Sequence, residues 1–252
     1  MLPYINIGQI QISTYYSAMI LGYLMMIMLM LLKARRKKYN INKLQSVLFA
    51  TAGLISGILG CKILFILENI AWIKNNGFTF GGFSFYGAVF IAPLLMPLIG
   101  KILGLNLRES LDNTAICITA MLGTIRLGCF LNGCCGGILL NIGDIYFSFP
   151  AQLIECVCDF AMLFILIKCE KKEKAYGFLY SKMLLIYGCV RFIIEFFRTT
   201  EKDWLYLSHA QWFSIAAIIT GTVFEIILIK QLKKSKYPTH IANPNKDNKS
   251  LH

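Results

Sequence analysis

The chain has 252 residues, 57% of them hydrophobic and only 15% charged, whereas a soluble domain carries about 25% charge. Several apolar runs approach the ~20 residues that cross a hydrocarbon core, which excludes an ordinary soluble globular domain. The net charge of +12 is compatible with nucleic-acid binding, but its distribution, described below, serves membrane orientation, and no nucleic-acid partner is expected.

Run one covers residues 13–32 and is followed by KARRKK at 33–38. Run two covers 47–67, with Lys62 near its end, and a turn-rich loop follows at 75–82. Run three covers 83–99 and leads to Lys101 and Arg108. Run four, 111–130, enters the segment GTIRLGCFLNGCCGG at 123–137. Run five, 151–167, starts after Pro150 and closes with KCEKKEK. Run six, 177–197, precedes a polar loop at 198–208, and run seven covers 210–229. The predicted class is all-α: a polytopic membrane protein with seven transmembrane helices. Residues 1–232 are read as one seven-helix membrane domain and 233–252 as a basic, disordered cytoplasmic tail. No basic region precedes run one, so no cleavable signal peptide is expected.

Lysine and arginine are concentrated after runs one, three, five and seven. The opposite side has little beyond Lys74, Arg198 and Lys202. The positive-inside rule therefore predicts an outside N-terminus and a cytoplasmic C-terminus. That topology gathers the intramembrane polar residues into one leaflet. Tyr15, Tyr86, Gln152, Glu155, Lys62, Arg126, Asn132, Tyr187, Arg191, Glu195 and Arg198 all fall in the outer half. Glu225 is the exception, and Asp159 falls near mid-depth.

A charge at the centre of a membrane helix costs at least about 2.5 kcal/mol, so such residues are paired or functional. Arg126 ends an apolar run. Tyr187, Arg191, Glu195 and Arg198 follow at i, i+4, i+8 and i+11, one face of a predicted helix. An excess of guanidiniums in one leaflet points to an anionic ligand, because arginine binds phosphate as a planar, bidentate donor. Plainer alternatives remain at this point. Arg191 and Glu195 pair only with each other, Tyr15 and Tyr86 are interface anchors, and Gln152 and Glu155 are helix-packing groups. His209 is read as a surface histidine rather than a base. The nine cysteines show no paired CxxC zinc spacing. No metal site is assigned, although Cys129, Cys134 and Cys135 leave a metal or redox role open.

These residues resemble the bacterial prolipoprotein diacylglyceryl transferases, in order from about residue 10 to 229. The central segment is similar to the family signature GRxGNFxNGExxG at Arg126, Gly128, Phe130, Asn132, Gly133 and Gly137. YGCVRFIIEFFR resembles the second signature, PAQLIE at 150–155 resembles PSQLYE, and HAQWFS at 209–214 resembles the QW(L)S element. Tyr15 aligns with an early tyrosine and GCK at 60–62 with a GxR element. Three departures stand out. The family's His-Gly-Gly is Tyr86-Gly87-Ala88 here, the signature asparagine is Cys129, and the signature acid is Cys134, so the chain reads as a cysteine-rich variant.

The resemblance implies transfer of diacylglyceryl from phosphatidylglycerol to the lipobox cysteine of a preprolipoprotein. It implies a site toward the outer leaflet of the bacterial cytoplasmic membrane and no cofactor. Arg126 and Arg191 are expected on the phosphate, with Glu195 orienting Arg191 and Tyr86 the positional candidate for the base. Asn132, Gly137, Tyr187, Arg198, Tyr15, Gln152 and Glu155 are expected to bind substrate. A paralogue with an altered acceptor or no activity, a lipid or anion transporter, and a redox partner using the cysteines are the rival readings.

Overall fold

The computed structural model describes residues 3–7, 10–35, 39–77, 85–143, 145–172, 175–200, 202 and 204–234. The predicted tail beyond 234, and 36–38 of the basic KARRKK stretch, lie outside the described residues. The chain is mostly helical. Its helices are α1 (Thr14–Arg35), α2 (Lys43–Glu68), α3 (Ile70–Asn76), α4 (Phe85–Ile102), α5 (Leu107–Asn132), α6 (Ala151–Lys172), α7 (Phe178–Ile194) and α8 (His209–Lys234).

Each predicted apolar run folds into one of these helices, and α3 is an addition. By length and composition, four segments are long and apolar enough to cross a membrane among the described residues: Thr14–Lys33, Lys43–Glu68, Leu107–Asn132 and His209–Lys233. Large apolar side chains such as Leu21, Leu24, Ile58, Phe164 and Val223 are exposed, as expected where lipid rather than water is the solvent.

The all-helical expectation is modified by two short antiparallel hairpins. Strands β1 (Tyr4–Ile7) and β2 (Ile10–Ser13) pair Tyr4 with Ser13 and Ile7 with Ile10. Strands β3 (Leu139–Ile142) and β4 (Ile145–Ser148) pair Leu139 with Ser148. Four-residue strands are too short to produce a hydropathy signal, which is why neither hairpin was expected.

The chain divides into two compact units, Met1–Met26 with Thr114–His252, and Ile27–Asn113. In the second unit α2 and α4 pack closely. Gly60 and Gly87 let the two backbones touch: a side chain on either would collide with the main chain of the other, the small-residue contact typical of membrane helices. The start of α2 is fixed by a capping box, in which the Asn42 side chain accepts the Gln45 N–H at 2.8 Å and Gln45 accepts the Asn42 N–H at 3.2 Å. Lys33, largely buried, donates to the Asn113 carbonyl at 3.3 Å and stands 4.9 Å from the centre of the Tyr39 ring. The start of α5 precedes the predicted run because Asn106 caps it, its side chain accepting the Arg108 N–H at 3.1 Å. Hydropathy begins only after that polar first turn.

In the first unit, α6, α7 and α8 pack together with α7 against both neighbours. Its core is Ala115 and Ile116 of α5, Met162 and Leu166 of α6, and Leu179 and Met183 of α7. These six side chains bring Arg126, the α6 acids and Arg191 of α7 toward one another.

Candidate functional site

Glu155 is the centre of the site. It lies one turn into α6 with its side chain 4% exposed, and three guanidiniums converge on it. Arg126 of α5 places Nε 2.8 Å from Oε2, Arg191 of α7 ion-pairs with Oε1, and Arg198 places Nη1 3.2 Å from Oε1. A second carboxylate, Glu195, is 1% exposed. Its Oε2 is 2.9 Å from Arg191 Nη2 and 3.7 Å from Arg198 Nε. Three cations thus face two directly paired carboxylates. Two of these atoms, Arg198 Nε and Glu195 Oε2, are buried without an aligned hydrogen bond among the described residues, so the cluster has polar capacity left to satisfy.

The expected helical stripe is realised with one change. Helix α7 ends at Ile194, Glu195–Phe197 form a 3-10 turn, and Arg198 is extended at φ −105° and ψ 150°. A 3-10 turn advances faster around the axis than an α-helix. Arg198 therefore reaches Glu155 from a strand-like position, not from the helical i+11 position.

Gly137 holds that strand-like segment. Its N–H donates to the Phe149 carbonyl at 3.0 Å, it bridges Arg198, and Ile138 N donates to the Phe197 carbonyl at 2.9 Å. A Cβ at Gly137 would lie 2.5 Å from the Phe197 oxygen and 2.6 Å from the Phe149 oxygen. Gly137→Ala is expected to cost about 1–3 kcal/mol, the usual penalty for overpacking. Thermal unfolding in detergent measures this, and an unchanged midpoint would contradict the close approach.

A small cavity is lined by Arg126, Glu155, Asp159, Tyr187, Val190 and Arg191. Asp159, buried, was not among the expected site residues. Its signal was present in the sequence, since it sits at i+4 from Glu155 on α6 and so shares its face. Tyr187 and Asn132 are half-buried. Tyr15 is half-buried in α1, edge-on to Tyr16 at 5.7 Å, and within electrostatic range of Arg126 and Cys129. Gln152, buried, donates from Nε2 to the Cys134 carbonyl at 2.5 Å and so fixes the glycine–cysteine loop. Tyr86 stands in the first turn of α4, and its side chain lies outside the described residues. His209 is exposed at the start of α8.

Cys129, Cys134 and Cys135 are thiols rather than disulfide partners. Cys135 is exposed, with a left-handed φ of 62°. The hydrogen bond it accepts from Cys129, together with the positive charge of Arg198 and Arg126, pushes its thiol down to about 5. The thiolate is the reactive form, so alkylation of Cys135 is expected to be nearly constant in rate above about pH 6 and to slow only below its pKa. Site-resolved mass spectrometry after iodoacetamide treatment measures this. A rate that climbs tenfold per pH unit toward about pH 8.5, as for an ordinary thiol, would contradict it.

Membrane-length apolar helices and a buried arginine–carboxylate cluster define the class: a helical membrane protein with a polar, guanidinium-rich site. The chain belongs to the prolipoprotein diacylglyceryl transferase family, a family of transferases, whose profile matches residues 3–227. A Clostridium tetani protein named phosphatidylglycerol–prolipoprotein diacylglyceryl transferase is 31% identical over 230 residues, covering 84% of this chain and 92% of that protein. A Clostridium perfringens protein with the same name, numbered 2, is 30% identical over 245 residues, covering 90% of this chain and 93% of the relative. A Pasteurella multocida relative, also so named, is 27% identical over 253 residues, covering 92% and 93%. The resemblance carried by the sequence motifs is borne out.

Proposed function

We propose that the protein transfers the diacylglyceryl group of phosphatidylglycerol to the lipobox cysteine thiol of preprolipoproteins. The observation that carries this reading is the convergence of Arg126, Arg191 and Arg198 on the single buried carboxylate of Glu155.

In the proposed step the lipobox sulfur attacks the glyceryl carbon that bears the phosphate oxygen. A carbon–sulfur bond forms, the carbon–oxygen bond breaks, the thiol proton is lost, and glycerol phosphate leaves with the bonding pair. The leaving group needs electrostatic stabilisation more than protonation. Arg126 and Arg191 would supply it once the phosphate takes the place of Glu155 on their guanidiniums. Glu195 orients Arg191, and Arg198 closes the site beside it. Asn132 and Tyr187 are assigned to head-group hydroxyls, and Tyr15, Gln152, Glu155 and Gly137 to shaping the pocket. Tyr86 is the positional candidate for the base.

Seven helices, all but α3, are proposed to span the cytoplasmic membrane, with the N-terminus outside, the site toward the outer leaflet and the basic tail in the cytoplasm. Residues 1–232 act as the membrane domain in this reading. Complementation tests it. Expressed in bacteria depleted of their own transferase, the chain is expected to restore lipoprotein maturation and growth. Full insertion without rescue would favour the paralogue of altered acceptor or lost activity.

A further inference from the structure

Ser208 stands immediately before α8 and is 2% exposed. Its backbone N–H donates to Gln211 Oε1 at 2.9 Å, and its Oγ accepts the Gln211 N–H at 3.3 Å. This reciprocal pair is a capping box, read in the sequence as SHAQ at 208–211. Most capping hydroxyls turn their proton toward water. Here the hydroxyl is buried and donates to Glu195 Oε1 at 3.0 Å.

The two oxygens of Glu195 are therefore divided. Oε1 takes the Ser208 proton, and Oε2 faces Arg191 at 2.9 Å and Arg198 at 3.7 Å. The arginines alone fix one side of this carboxylate. A carboxylate with an oxygen tied to a rigid helix cap presents the other in a fixed direction. Gln211 is 0% exposed, so the cap itself is anchored in the protein interior.

We propose that Ser208 is a positioning residue, which aims Glu195 and through it fixes Arg191 toward the phosphate of the lipid substrate. This inference rests on the transferase reading above. It adds the start of α8 to the machinery, joined to the α6–α7 cluster by one hydrogen bond.

The test is steady-state transfer from labelled phosphatidylglycerol to a lipobox peptide by full-length protein in detergent. Four forms are compared: wild type, Ser208→Ala, Ser208→Thr and Ser208→Asp, with thermal unfolding measured for each. Aspartate keeps the helix cap but has no proton to donate and repels Glu195. Threonine keeps both the cap and the donor.

The expected result is a fall of about tenfold in kcat for Ser208→Ala with KM little changed, since the interaction acts in the transition state. Ser208→Thr should restore kcat, and Ser208→Asp should fall at least as far as Ser208→Ala despite an intact cap. Equal kcat in wild type and Ser208→Ala would overturn the inference while leaving the transferase reading standing. So would full activity of Ser208→Asp, which would reduce Ser208 to a cap. Absence of transfer by the wild type would refute the transferase reading and this inference with it.

Discussion

Arg126→Ala is expected to lower diacylglyceryl transfer by about 10²–10³-fold, the loss that follows removal of one preorganised donor from a developing anion. The protein itself should survive the change. Glu155 keeps Arg191 and Arg198 as partners, and the α5 core residues Ala115 and Ile116 lie well below the site on the same helix. Detergent extraction and thermal unfolding should therefore match wild type, which separates loss of chemistry from loss of fold. Arg126→Lys should recover only part of the activity, because an ammonium supplies charge without the planar fork. Normal lipoprotein maturation by Arg126→Ala in a depleted strain would remove Arg126 from the phosphate.

Glu155→Ala acts in the opposite way, on stability first. It takes the ion-pair partner from Arg126 and leaves Arg191 and Arg198 on Glu195. Removing one partner of a buried ion pair costs about 3–5 kcal/mol, because the other charge stays desolvated without compensation. Arg198 and Glu155 are both nearly buried, so little solvent screening relieves this. The unfolding midpoint in detergent is expected to drop well below that of wild type, and added inorganic phosphate or glycerol phosphate should restore part of it by occupying the vacated centre. An unchanged midpoint, or one that phosphate leaves alone, would contradict the view that Glu155 occupies the anion position of an arginine site. Glu155→Gln, which keeps the shape and loses the charge, should fall between the two.

The helical elements were legible because each is a long apolar run. Their ends were less so. The start of α5 at Leu107 depends on the Asn106 cap, and α7 stops at Ile194 because the chain tightens into a 3-10 turn there. The hairpins and α3 are too short to alter a hydropathy window. In the site, the 100° spacing of Tyr187, Arg191 and Glu195 placed them together before any coordinates. Which carboxylate the arginines would share was not legible. Glu155 and Glu195 look equivalent in the sequence, and only the packing of α6 against α7 makes Glu155 the common partner of all three. Ser208 was hidden for a similar reason: its SxxQ pattern announces a helix cap, while its contact with Glu195 is long-range.

Gly137 shows how a motif glycine can be read two ways. As a match to a substrate-binding signature it was expected to contact the head group. In the fold its N–H is already taken by the Phe149 carbonyl, and its missing Cβ lets two carbonyl oxygens close over it. Its contribution to the pocket is to hold Arg198 in place.

The most direct test of the account is transfer by the purified, full-length protein from phosphatidylglycerol labelled in its acyl chains to a synthetic lipobox peptide. The account predicts label on the cysteine sulfur as a thioether, with glycerol phosphate released in equal amount. It also predicts loss of both products in Arg126→Ala. Label that never reaches the sulfur, with the protein folded and the lipid present, would contradict it.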